Sequence, residues 1–469
     1  MYSCLSVKPR PGGQIRQTTM STMKVQLALL PALLLFALTG KAQENLSLSD
    51  AIQKGLENNF QIKIAEARAD IAERNDDWAI AGKVPTINLT ANSQNNYRNL
   101  SNPAGPLTAA NTYNTGITPG IEASMILFDG YRVQITKEQL ETQAELSQSN
   151  QQLAVQNSIQ AIINAYYNAL VQQEQLDVLM EVLELSRDRV AYQEVRQEFG
   201  QSSTFDILQT QDAYLNDSTN YVLQINTYET AIRNLNLAMG IDDMGTSYTL
   251  TDTLSYAAED YQLADLQQEM ESNNVQLRNE YINRELSSIN TRLQEAAFKP
   301  TVQINAGATY NVGISFGEQT LSFGPNETIQ EIPQIAAKTF QPFLNLSASY
   351  PIYDGGARKI RLENARKEEL IAQLNISDLK RTLNNQLANT LATYNTQKRL
   401  VEVTTSLVSN ARRNLEIAEE RFRGGLINSF DYRTIQVSYI NASQQRLNAV
   451  FNLKNTETEL IRLIGGLVR

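Results

Sequence analysis

The sequence holds no histidine and a single cysteine, Cys4. Without histidine there is no Ser-His-Asp triad, no imidazole metal ligand and no imidazole acid–base catalyst. One cysteine excludes intrachain disulfides, CxxC redox motifs and cysteine-based zinc sites. No enzyme constellation and no cofactor site remain to be expected. Charge is also scarce, at 19% of residues against about 25% in ordinary globular chains. What charge there is leans acidic: 40 Lys+Arg against 50 Asp+Glu give a net charge of -10. Phosphate backbones need a basic face, so nucleic acid is not an expected partner. Beyond the first 42 residues no apolar run reaches the length of a membrane-spanning helix. Any contact of the mature chain with a bilayer must then be made by β-strands.

In place of charge stand uncharged polar residues, as in Gln148, Asn150, Gln151, Gln152, Gln156 and Asn157. The chain opens with an address. Lys24, the apolar run 27–38 and the small residues around Ala42 form a secretory signal peptide, with the mature chain starting at Gln43. Met20 or Met23 is the expected start, and residues 1–19 read as a mis-called extension. Cys4 falls in the removed part.

The rest is written twice. One constant shift aligns Asn58-Asn59 with Asn273-Asn274 and Pro85 with Pro300. A longer shift aligns Asp129-Gly130 with Asp354-Gly355, Arg196 with Arg421, Gly200 with Gly425 and Phe205-Asp206 with Phe430-Asp431. It continues through Gln211 with Gln436 and Tyr214 with Tyr439 to Gly240 with Gly465. The domains are therefore a first repeat at 43–241, an acidic linker at 242–261 and a second repeat at 262–469.

Each repeat has the same expected order. Helices at 49–58 and from 62 to about 82 match helices at 263–272 and from 275 to about 298. Strands follow at 85–97 and 120–128, matched at 300–312 and 343–353. Their alternation, as in Val302, Ile304, Ala306 and Ala308 against Thr301, Gln303 and Asn305, gives one apolar and one polar face. Their length is about the 9–11 residues of a tilted transmembrane strand. The stretches 99–118 and 313–341 read as long loops, the second longer than the first. Proline-free helices then run from 131 to about 197 and from 357 to about 422, roughly 100 Å each at 1.5 Å per residue. Shorter helices return to Met239 and Ile464. Narrow apolar stripes such as Leu383, Leu387 and Leu391 are coiled-coil seams rather than broad core faces. A long helix wetted on both sides suits the wall of a water-filled tube. Four strands cannot close a membrane barrel, so either the sheet is soluble or several copies share one barrel.

These features resemble the TolC-like outer-membrane efflux proteins. The carriers are the duplicated element order, Ile352-Tyr353-Asp354-Gly355-Gly356, and the stretch Arg421-Phe422-Arg423-Gly424-Gly425-Leu426-Ile427-Asn428-Ser429-Phe430-Asp431, with first-half counterparts Leu127-Phe128-Asp129-Gly130 and Gly200-Gln201-Ser202-Ser203-Thr204-Phe205-Asp206. The resemblance covers nearly all of the mature chain. It implies a mixed α and β membrane protein, a long α-helical coiled-coil barrel joined to a transmembrane β-barrel of four strands per chain and twelve in a homotrimer. It implies an exit duct in outer-membrane lipid, serving a periplasmic adaptor protein and an inner-membrane pump of a tripartite efflux or type I secretion system.

A duct performs no bond chemistry, so its candidate residues gate the mouth or dock the adaptor. Asp431 and Asp206 match family positions for acids that line or latch the pore; each reads equally as a helix N-terminal charge favoured by the dipole. Phe422 and Ile427 stand where the family pattern has a tyrosine and an arginine of the latch, and Thr434 where it has a further pore acid. A weaker or apolar closure follows. Adaptor docking is expected at the helical turns, at Gly200, Ser203, Phe205, Gly425, Leu426, Ser429 and Phe430, with Ser203 and Ser429 capping the returning helices; ordinary turn chemistry explains the same residue types. A structural coiled-coil stalk, which needs no strands, and the adaptor itself, which lacks a whole-chain duplication, are the alternatives.

Overall fold

The computed structural model describes residues 44–101, 107–255, 259–323 and 326–468. The expected signal peptide at 1–42 lies outside them. Eight helices are described, in the order α1 (Leu48–Asn58), α2 (Phe60–Asn75), α3 (Arg132–Glu198), α4 (Thr204–Met239), α5 (Leu263–Asn273), α6 (Val275–Ala296), α7 (Ala357–Arg423) and α8 (Ser429–Leu463). Strands β1 (Glu44–Leu46) and β4 (Tyr248–Leu250) pair in parallel. The other four, β2 (Thr86–Ser101), β3 (Leu107–Phe128), β5 (Thr301–Phe323) and β6 (Asn326–Ser349), form one antiparallel sheet in the order β2-β3-β5-β6. The order of helices and strands is thus the same before and after the 242–261 segment.

The long helices appear where their uninterrupted pattern put them: α3 and α7 each have 67 residues, roughly 100 Å. They start at sharp corners made by the Asp-Gly pairs. Asp354 accepts the Arg358 backbone N–H at 3.0 Å, and Asp129 accepts that of Val133 at 3.2 Å. Each carboxylate thereby satisfies a donor the first helical turn leaves unpaired. The helix expected to run to about 82 stops at Asn75 instead, where Asp76 and Asp77 start a series of turns.

Two expectations about the sheet fail. The supposed loops at 99–118 and 313–341 are mostly strand, interrupted only outside the described residues. The four strands have 16, 22, 23 and 24 residues, about twice what a bilayer requires. Polar residues with scattered Gly and Pro read as loop because a strand wetted on both faces has no apolar alternation to betray it.

Only the half nearest the helices has that alternation. One side carries Ile87, Leu89, Ile121, Ala123, Met125, Ile304, Ala306, Leu344 and Leu346 in mutually facing positions. The other carries Thr86, Asn88, Ser124, Asn305, Asn345 and Ser347. The apolar side is open: Leu89, Leu344 and Leu346 are 83, 71 and 69% exposed. Farther up that side lies an aromatic row, in which Tyr97 faces Tyr113 and Tyr113 faces Phe316, with ring centroids 4.7 and 5.3 Å apart. Past the row the same side turns polar, with Asn99, Asn111, Glu318 and Glu331. At the helical end a second belt combines rings and cations: Lys299 lies 4.8 Å from the Tyr131 ring, Arg358 5.1 Å from Phe298 and Lys83 4.1 Å from Trp78. No helix among the described residues is long and apolar enough to cross a membrane.

The main core sits midway along the helices, where Tyr166, Leu170, Leu235, Met239, Leu387, Tyr394, Val450 and Leu453 are buried together. The segment expected as a linker contributes to it through β4. Asp252 accepts from the Leu48 backbone N–H at 2.7 Å and from the Tyr166 hydroxyl at 2.6 Å, fastening β4 and α1 to α3.

Candidate functional site: the tips of the helical hairpins

The hairpins α3–α4 and α7–α8 turn at the end away from the sheet, and both turns are built alike. Gly200 and Gly425 adopt φ of 65° and 68°, a left-handed conformation that glycine takes without steric cost. A Cβ at either would meet nothing within 4 Å, so the backbone angle and not crowding calls for glycine. Around each glycine two backbone bonds close the helix end: Gly200 N–H to Gln197 and Gln201 N–H to Arg196, Gly425 N–H to Phe422 and Leu426 N–H to Arg421.

The returning helices start differently. Ser203 caps α4 in a reciprocal box: its hydroxyl accepts from the Asp206 N–H at 3.2 Å, and the Asp206 carboxylate accepts from the Ser203 N–H at 3.1 Å and hydroxyl at 2.7 Å. These hydrogen bonds hold the Asp206 carboxyl below the usual aspartate range. For α8 the cap is Asn428, not Ser429 as expected: Asn428 Oδ1 accepts from the Asp431 N–H at 2.8 Å. Ser429 is the first helical residue, buried, and its hydroxyl lies 3.1 Å from that of Thr210, tying the two hairpins together. The Asp431 side chain is exposed and makes no hydrogen bond or ion pair among the described residues. Of the two candidate pore acids, one is engaged by its own cap and one is free.

Thr434 is exposed and returns its hydroxyl to the Phe430 carbonyl at 3.0 Å. Phe422 lies in the core between hairpins, 3% exposed, stacked on Tyr432 at 5.2 Å and edge-on to Tyr192 at 5.5 Å, with Ile427 packed against the same cluster. Phe205, Leu426 and Phe430 project into solvent at the turns, as does Phe199, which the sequence reading did not single out.

A buried polar network behind the tips also went unread. Arg433 grips Asp217 with two bonds of 2.6 Å, and the Ser186 hydroxyl donates to the same carboxylate at 2.5 Å. Arg189, 2% exposed, donates to Gln436 at 2.9 Å, while its Nε and Nη2 have no partner. Burial, reinforced by the Arg433 charge, pushes its pKa down to about 10. A signal for Asp217 existed: the longer repeat shift places it opposite Ala442, the mark of an interior position.

The tips offer hydrogen-bonding turns, exposed apolar side chains and one free acid per chain, which suits docking and gating rather than bond chemistry. A family model described as outer membrane efflux protein matches residues 51–241 and 266–466. No curated protein matches the chain. Among solved structures, the chain is similar to the Campylobacter jejuni CmeC outer membrane channel, with a TM-score of 0.69 and 16% identity over 89% of this chain and 85% of that one. It is similar to the outer membrane protein VceC of Vibrio cholerae, at 0.67 and 15% over 89% and 96%. It is similar to the open state of the Neisseria gonorrhoeae MtrE outer membrane channel, at 0.62 and 17% over 90% and 89%. Matched twice by the family model and along most of its length by channels of this fold, the chain belongs to the outer membrane efflux protein family.

Proposed function

We propose that three copies of this chain form a duct through the outer membrane of a Gram-negative cell, the exit of a tripartite efflux or type I secretion system. The observation that carries this reading is the sheet, with one apolar side bounded by two aromatic belts and with two open edges. From Ile87 to Tyr97 the strand has about the length a tilted membrane crossing requires. An edge left open in lipid would strand backbone groups at a cost of several kcal/mol each. Four strands cannot close; three copies give twelve, wide enough for a wet lumen. The upper halves of the strands then stand clear of the lipid as a polar tube on the cell exterior. The helical hairpins continue the lumen into the periplasm, where their tips meet an adaptor fed by an inner-membrane pump. Phe205, Leu426 and Phe430 supply apolar contact for adaptor docking, on turns shaped by Gly200, Ser203, Gly425 and Ser429.

At the mouth, three-fold symmetry turns Asp431 into a ring of free carboxylates. Asp206 contributes less, because its carboxylate is committed to Ser203. Phe422 and Ile427 act from behind, as packing that sets the hairpin spacing, and Thr434 adds no charge. Carboxylates in a wet ring repel by only about 1 kcal/mol per pair at about 4 Å, an amount that one bound cation offsets. The test is the mass of the detergent-extracted complex, then single-channel conductance with divalent cations added from the helical side. A trimer is expected, partly blocked by the cations. Asp431→Ala should lose most of that block and Asp206→Ala little. A sealed monomer would end the duct reading; block unchanged in Asp431→Ala would end the gate reading alone.

A further inference from the structure

The chain carries a template for the contact that would close its sheet. In the first half Thr86 lies opposite Ser124, and in the second Thr301 lies opposite Ser349. The shift that carries Pro85 to Pro300 carries Thr86 to Thr301, and the shift that carries Asp129 to Asp354 carries Ser124 to Ser349. The two hairpins are therefore paired in one register. Where they meet, β3 lies against β5 with Gly120 opposite Thr309 and Ile121 opposite Ala308. Resting on the reading that copies share one sheet, we propose that β6 of each copy pairs with β2 of the next in the register of β3 on β5, and that the helices join by the same rule.

Carried by the two shifts, Gly120 becomes Asn345 and Thr309 becomes Gln94. Asn345 thus faces Gln94 of the partner subunit, and Leu346 faces Ser93 of the partner subunit. A slip of one residue would turn every apolar side chain of β6 to the lumen. A slip of two would keep the faces, and it is the internal contact that selects among such registers. The internal ladder skips Thr118 and Pro119, so a similar gap at Pro342 is no obstacle.

The charge pattern of β6 supports this register independently. Under it the neighbouring β2 ends, at Ser101, opposite Lys338. Between 339 and 349, where β6 would be covered, there is no charged residue. From Lys338 outward, where β6 would outreach its neighbour, come Glu331, Pro333 and Glu327. Charges and proline are what blunt an exposed strand edge. They begin where the cover would stop.

On the helices the internal contact sets α3 against α8, through Arg189 with Gln436 and Glu181 with Tyr439. Its carried counterpart sets α7 against α4 of the next copy, Asn414 with Gln211 of the partner subunit and Ser406 with Tyr214 of the partner subunit. That face of α7 and α8 is an open groove of about 380 Å³, lined by Leu407, Ala411, Ile417 and Ile435 among others. The facing helix α4 exposes Leu208 and Leu215 at 56 and 59%. The ion pair Asp217–Arg433 has no counterpart there; the equivalent positions are Ala442 and Leu208.

The register can be read by disulfide trapping of the full-length protein in its native membrane, in a Cys4→Ser background. Asn345→Cys with Gln94→Cys should give covalent oligomers on a non-reducing gel. Asn345→Cys with Arg98→Cys or with Thr90→Cys keeps the same face but is four residues off, about 13 Å along the strand. A disulfide needs Cα atoms within about 7 Å, so these should give at least roughly tenfold less. A multimer by mass that traps at Arg98 or Thr90, or at none of the three, overturns the register while the shared sheet stands. A monomer by mass overturns both.

Discussion

The two hairpin tips are a controlled comparison within one chain. Their turns use the same glycine angle and the same pair of closing backbone bonds. They differ in side chains: Ser203 and Asp206 satisfy each other at the first tip, whereas Asn428 at the second caps with its amide oxygen and leaves the Asp431 carboxylate free. The lesson is that backbone geometry was duplicated while polar commitments diverged. A helix start needs some acceptor for its first N–H groups, but does not specify which. Once Asn428 meets that need, the acid three residues on becomes available for another role.

The largest effect that would sharpen this comparison lies just behind the tips. Asp217→Ala leaves Arg433 buried without its carboxylate and beside Arg189, and should cost about 3–5 kcal/mol. Hydrogen exchange along α3, α4 and α8 should rise accordingly. Adding Arg433→Leu, the residue type found at the equivalent Leu208, should restore most of the protection; if it does not, the network specifies the packing rather than merely filling it.

A smaller effect is expected at the caps. Ser203→Ala and Asn428→Ala should each weaken the start of their helix by about 1 kcal/mol, seen as faster exchange in the first turn of α4 or α8 only. Only Ser203→Ala should also raise the Asp206 pKa, because it removes the hydroxyl donor. Equal carboxyl titration in the two variants would erase the distinction between the tips.

Smallest is the response to acid. The folded pKa of Asp206 lies below the ordinary aspartate value of 3.8. Its contribution is therefore complete above that value and is lost as pH falls through the lower folded pKa. Exchange at the start of α4 should quicken in that acid window, while the start of α8, capped by an amide, should not follow Asn428 with pH. Matching acid responses would break the comparison.

The long helices were legible because 67 residues without proline, with apolar residues at three- and four-residue spacing, leave little else for the chain to do. The lower half of the sheet was legible from its alternation. Its upper half was not: Asn111, Thr112, Gln319 and Gln330 are wetted on both faces, and their strand conformation comes from cross-strand partners far away in sequence. The tip turns could be placed from Gly200 and Gly425, yet Ser429 was mistaken for a cap because neighbouring polar residues offer the same chemistry and only the start of the helix decides between them.

By itself the sequence determined the duplication, the lengths of the helices, the apolar face of the sheet and the absence of catalytic chemistry, since each is a matter of local pattern or composition. The tertiary structure alone decided which acid is free, that Phe422 faces a core rather than a lumen, and that Asp217 lies between two arginines. Those outcomes depend on which helices meet across hundreds of residues, and a side chain's burial and partners are properties of that meeting, not of its neighbours along the chain.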